Sequence, residues 1–172
     1  MRKKKLDPHT DDPRDPLELM ARLLVGGSYK VPVEGRSTRP VLGSADIAGA
    51  VGYMADGLEK NTALVVATRG SRRQVAAVSR MAYRHIARAV KGLRPVPLDL
   101  SKPADRWKLR IVVFDATYEL VYPERRRKWQ ELAKDAKMRR TSYVAVHKAA
   151  TSVLQAALNA GRTDFRRRLF QG

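Results

Sequence analysis

Cysteine is missing from all 172 residues of the chain, which also holds only three histidines, three phenylalanines and two tryptophans. Without cysteine there is no disulfide, no thiolate zinc finger and no cysteine nucleophile, a composition that suits a reducing cytoplasm. His9, His85 and His147 lack the i, i+4 pairing of a zinc site, so each reads as a solvent-facing or structural ring. No apolar run approaches the length that spans a bilayer, and the basic start MRKKK is not followed by the apolar stretch of a signal peptide. The expectation is a cytoplasmic protein, neither secreted by a signal peptide nor membrane-spanning. The segment GSRR after LVVATR lacks the glycine spacing and the Lys-Ser/Thr ending of a phosphate loop, which discards an NTPase.

Positive charge is what the chain has in excess. Lysine and arginine number 35 against 17 acids, a formal charge of +18. Such an excess repels itself, and a polyanionic partner is the usual reason for keeping it. Solubility alone explains it poorly, because acidic residues serve solubility as well without binding nucleic acid. Nucleic acid is therefore the preferred partner. The alternative is a basic surface that steers a small acidic substrate or touches anionic lipid.

Periodicity predicts a mainly α protein, a helical bundle with a C-terminal helix-turn-helix. Residues 1–15 mix Lys, Asp and Pro without apolar spacing and read as a disordered arm. A helical region over 16–100 follows. It opens with PLELMARLL from Pro16 and crosses a Gly- and Pro-rich linker from Ser28 to Gly43. A short helix capped by Ser44 comes next, and then one from Glu59 to Thr68. The clearest amphipathic stretch is 71–91. Val75, Val78, Ala82, Ile86 and Ala89 share one side, and Arg73, Arg80, Arg84, Arg88 and Lys91 the other. That basic stripe is either a solvated face or a row of phosphate contacts. In the C-terminal region, 101–172, Trp107, Ile111, Phe114, Tyr118 and Val121 recur at helical spacing and read most simply as core. The runs 63–69 and 109–115 are β-branched enough that a small α/β unit over 60–120 is the competing arrangement.

The motif that carries function lies at 124–158. ERRRKWQELAKDA is a helix with Pro at its start, KMRR is a turn, and a second helix runs from Thr141 to Leu158, closed by Asn159-Ala160-Gly161. Leu132 and Ala133 sit where the first helix meets the second, and Met138 plugs the turn. On the second helix Tyr143, Val146, Ala150, Val153 and Ala157 form an apolar stripe. Arg140, Thr141, Val144, Ala145 and Lys148 are left on the face a major groove would meet. Arg140 is placed to reach guanine edges, and Thr141 or Ser142 a phosphate or base. Arg139, Lys148, Arg166 and Arg167 suit phosphates. Lys137 stands where the turn prefers glycine, and Arg139 where a Ser or Thr cap is preferred. A plain helical hairpin is the alternative. After Gly161, Arg162 and Arg166 to Arg168 beside Phe165, Leu169 and Phe170 read as a short amphipathic tail.

The run LAKDAKMRRTSYVAVHKAATSVLQAAL resembles the helix-turn-helix of sigma-factor region four, over roughly the last fifty residues. With WKLRIVVFDATYELVYPERRRKW before it, the chain also looks like phage-encoded regulators of late transcription, the antiterminator group included. The resemblance implies a factor that binds double-stranded DNA near a promoter through its C-terminal unit. Its other helices would engage bacterial RNA polymerase and sigma factor, changing initiation or elongation. Many antiterminators carry a cysteine zinc motif, which this chain lacks.

Two further readings stay open. One is a structural protein that binds RNA or DNA without sequence preference. The other is a metal-dependent nuclease built on Asp115 and Glu119, one helical turn apart, although carboxylates so spaced on a basic helix usually pair with Arg or Lys. The preferred expectation is a DNA-binding transcription regulator, not an enzyme, with no cofactor.

Overall fold

Proline and polar caps divide the chain into helices. In the computed structural model the described residues are 15–23 and 43–171. Helix α1 is Pro16–Ala21, where Asp15 accepts a hydrogen bond from the Leu17 amide at 2.9 Å. Helix α2 is Ser44–Tyr53. Its cap is Gly43 rather than the expected Ser44, and the Gly43 amide donates to Asp46 at 2.8 Å. Helices α3, Leu58–Ala67, and α4, Arg72–Lys91, follow. Ser71 and Gln74 cap α4 reciprocally, each side chain accepting from the other's backbone N–H. Helix α5 is Pro103–Val121, α6 Trp129–Asp135 and α7 Arg140–Gln171. Residues 63–69 and 109–115 contain no strand. The first lie in α3 and the turn after it and the second in α5, so the α/β alternative gives way to helices. The terminal arm, apart from Asp15, and the linker before Gly43 lie outside the described residues.

Three further sequence expectations give way to the structure. The helix expected from Glu124 begins only at Trp129. Pro123–Arg125 form a 3-10 turn, and Arg126 and Lys128 are extended. Four consecutive cations, Arg125 to Lys128, would repel one another along a helix. In the extended segment Arg126 reaches Glu119 at 3.1 Å and Arg127 reaches Asp135 at 2.9 Å. The second correction is at Asn159-Ala160-Gly161, which does not end the last helix. Helix α7 runs through it for 32 residues, about 48 Å at 1.5 Å per residue. Gly161 is buried against α3, so close that an added Cβ would lie 2.4 Å from the Glu59 carbonyl oxygen and 2.9 Å from Ala63 Cβ. Glycine here permits a helix crossing rather than a stop. The supposed tail is therefore the end of α7, with Phe165 fully buried and Arg162 bound to Asp15 at 2.9 Å.

The third correction concerns α5. Its aromatic stripe is not the core face: Trp107 is 49% exposed, Ile111, Phe114 and Tyr118 are half-buried, and of the stripe only Val121 is buried. The buried face is Leu109, Val112, Val113, Ala116 and Thr117. Both faces carry apolar residues at helical spacing, and the sequence offers no means of ranking them. Helices α4 and α5 run in opposite directions, with Arg110 over the Tyr83 ring, Arg72 over Phe114 and the Tyr122 hydroxyl donating to the Gly70 carbonyl. Helix α7 is the shared wall of two apolar clusters. Tyr143, Val146, Ala150 and Leu154 pack with α4, α5 and α6, and Leu158 and Phe165 with α1, α2 and α3. The buried hydroxyls of Thr62, Ser79 and Thr117 donate to the carbonyls four residues back.

Candidate nucleic-acid interface

The unit formed by α6, its turn and the start of α7 is held by backbone geometry. The Met138 amide donates to the Ala133 carbonyl at 2.9 Å and the Lys137 amide to Lys134 at 3.0 Å, the pairing that closes a helix with one left-handed residue. That residue is Lys137, at φ 52°. Glycine would adopt this conformation freely, and a side chain there costs roughly 1 kcal/mol. Arg69, at φ 46°, closes α3 in the same way. Leu132 and Ala133 are buried against α7, and Met138 is half-buried on the same core.

On α7, Tyr143, Val146 and Ala150 are buried, Val153 is half-buried and Ala157 is buried. The other side carries Arg139, Arg140, Thr141 and Lys148 exposed, with Ser142, Val144 and Ala145 half-buried. The first turn of α7 holds no acid. Arg139 and Arg140 thus put cations at the positive end of a helix dipole, at a cost of about 0.5 kcal/mol each. An anion bound there would remove that cost.

Arg73, Arg80, Arg84, Arg88 and Lys91 are all exposed on α4. Among the described residues no carboxylate stands within ion-pair distance of any of them, in contrast with Lys60, Lys108, Arg126, Arg127 and Arg162. Lys148, Ser152, Ala156 and Ala160 follow at i+4 spacing along the outer side of α7. Ala156 and Ala160 share a hollow of about 430 Å³ with Glu59, His85 and Arg88. Arg166 and Arg167 are exposed near the end of α7, Arg167 donating to Asp164 at 2.6 Å.

Between α5 and the segment before α6 lies a cleft of about 500 Å³ that residue spacing alone does not reveal. Arg72, Phe114, Asp115, Tyr118, Glu119, Tyr122, Arg125, Arg126, Arg127 and Leu132 line it. The available signal was the run ERRRKW beside an aromatic stripe, which reads as core plus solvated charge unless the half-exposure of the rings is known. Behind the cleft the Tyr143 hydroxyl donates to Asp115 at 2.8 Å. Burial raises the Asp115 carboxyl above its ordinary range, against the pull of that hydrogen bond, and burial also raises the Tyr143 hydroxyl. His147 Nε2 lies 3.3 Å from Glu119 Oε2, yet no hydrogen bond forms, and among the described residues it is the one buried side-chain polar atom without one. Burial first, and the Arg126 guanidinium second, lower the ring to about 4, so it is neutral at pH 7.

The carboxylates of the nuclease reading therefore have protein partners, Asp115 in Tyr143 and Glu119 in Arg126. Among the described residues no three His, Asp or Glu side chains are grouped to hold a metal ion. No helix there is long and apolar enough to cross a membrane. Comparison with protein-family models, curated proteins and solved structures finds no match for this chain.

Proposed function

We propose that this protein is a sequence-specific DNA-binding transcription regulator that works in the cytoplasm. In this reading α6, its turn and α7 act as a helix-turn-helix, with Arg140, Thr141, Val144, Ala145 and Lys148 toward the bases. Arg139, Ser142, Arg166, Arg167 and the α4 row Arg73, Arg80, Arg84, Arg88 and Lys91 serve the phosphates. The observation that carries the reading is the division of α7. Its inner side is locked by Tyr143, Val146 and Ala150, while Arg139, Arg140, Thr141 and Lys148 stand outside, and α4 carries an exposed cationic row with no carboxylate in ion-pair distance among the described residues. Action on RNA polymerase and sigma factor, by promoter control or antitermination, is the part supported by the resemblance alone.

The test is selection from a library of genomic duplex fragments at near-physiological salt, with random DNA as competitor and magnesium present. Recovery of one discrete, uncut site is the expected result. Replacing Arg140 by Ala should then cost about 1–3 kcal/mol on that site and much less on random duplex. Uniform binding to every fragment would instead favour a structural RNA- or DNA-binding protein, and cut fragments a nuclease.

A further inference from the structure

The cleft on α5 combines features that a duplex-binding surface does not need. Phe114, Tyr118 and Tyr122 form a ladder at i+4 spacing, with centroids 6.1 Å and 5.0 Å apart, and all three residues are half-buried. Arginines cover its two ends. Arg72 lies 5.7 Å from the Phe114 centroid, and Arg125 and Arg69 lie 4.9 Å and 5.9 Å from that of Tyr122. Several of the surrounding cations are neutralised: Arg69 by Glu124, Arg126 by Glu119, and Arg127 by Asp135 and Glu131. Among the described residues Arg72 and Arg125 meet no carboxylate within ion-pair distance, Arg125 donating instead to the Tyr118 hydroxyl at 3.1 Å.

From this arrangement we propose a second nucleic-acid site, in which the cleft takes an unpaired nucleotide of a single strand. Its base stacks on the Phe114–Tyr118–Tyr122 ladder and its phosphates lie on Arg72 and Arg125. A stacked base is worth more than an exposed cation–π contact, so a base can displace a guanidinium from a ring and leave that guanidinium to the adjoining phosphate. The carboxylates orient the strand. Asp115 and Glu119 in the wall repel phosphate and accept N–H donors, which places the base edge inward and the backbone at the arginine mouth. Duplex DNA hides its base faces inside the stack and cannot use the ladder. The Asp and Glu side chains of an acidic peptide bring no aromatic ring to it and would meet the same two carboxylates. The cleft is separate from the outer face of α7, because Tyr143 and His147, on the buried side of that helix, back onto Asp115 and Glu119. The inference shares with the preceding reading only the polyanionic partner.

The full chain should bind an oligothymidine of about eight nucleotides, followed by fluorescence anisotropy, at least about tenfold more tightly than an abasic strand with the same number of phosphates. Equal affinity for the two strands would overturn the stacking site. Replacing both Arg72 and Arg125 by Gln, or Tyr118 by Leu, should weaken oligothymidine binding about tenfold and change duplex affinity by less than about twofold. Equal losses on single strand and duplex would overturn a separate site. Tyr118→Phe keeps the ring without the hydroxyl and should retain binding; a loss as large as that of Tyr118→Leu would contradict stacking. Arg140→Ala should leave oligothymidine affinity unchanged, so failure of the duplex reading and failure of this one give different results.

Discussion

A buried histidine with an unsatisfied ring nitrogen ties the stability of this fold to pH. His147 is 3% exposed, against the Trp129 ring at 4.7 Å, and titrates at about 4 because burial and Arg126 disfavour its charged form. In the unfolded chain the ring takes up a proton near its ordinary value of about 6.5. The native state is therefore favoured in full above that pH, and the contribution is lost as pH falls from about 6.5 to about 4. The loss is at most about 3 kcal/mol. Asp115 acts in the opposite sense, because its raised carboxyl binds a proton more readily in the native state and so stabilises that state as pH falls. The difference between wild type and His147→Gln isolates the histidine. Urea unfolding at pH 7 and pH 4.5 should show a markedly smaller acid loss in the variant, and equal losses would reject the assignment.

Helix α7 shows how packing overrides a local signal. Asn-Ala-Gly followed by charged residues reads as a helix end, but here the glycine sits where α3 crosses and Phe165 beyond it is fully buried. Propensity alone predicts that Gly161→Ala stabilises the helix by about 1 kcal/mol. The 2.4 Å approach to the Glu59 carbonyl predicts the reverse, since backbone cannot move aside as a flexible side chain can. Net destabilisation of about 1–3 kcal/mol is expected, read as a lower urea midpoint with an unchanged slope. A raised midpoint would show that the crossing is loose. The buried stripe of α4, from Val75 to Ile86, was legible because charge on its other side left one orientation. On α5 both sides are apolar, and the larger rings went outward.

For the whole molecule, the charge of +18 is distributed rather than uniform. The 122–135 segment pairs Glu124, Arg126, Arg127, Glu131 and Asp135 internally or with neighbouring elements. Among the described residues the α4 row meets no acid within ion-pair distance. If that row holds phosphates, Arg84→Ala should weaken specific and random duplex alike. It should also reduce the slope of log affinity against log salt by about one. An unchanged slope, measured by titration across salt concentrations, would make the row a solvated face.

The amino-acid sequence by itself determined the helical class, the basic character, the buried stripes of α4 and α7 and the position of the turn at Lys137. Each follows from periodicity, composition or local backbone chemistry, which act over a few residues. Only the tertiary structure decided which apolar face of α5 is core, that α7 continues through Gly161, and that ERRRKW folds back over the α5 rings to make a cleft. Those outcomes depend on which distant surfaces meet, and burial there outweighs the smaller preferences a single segment carries.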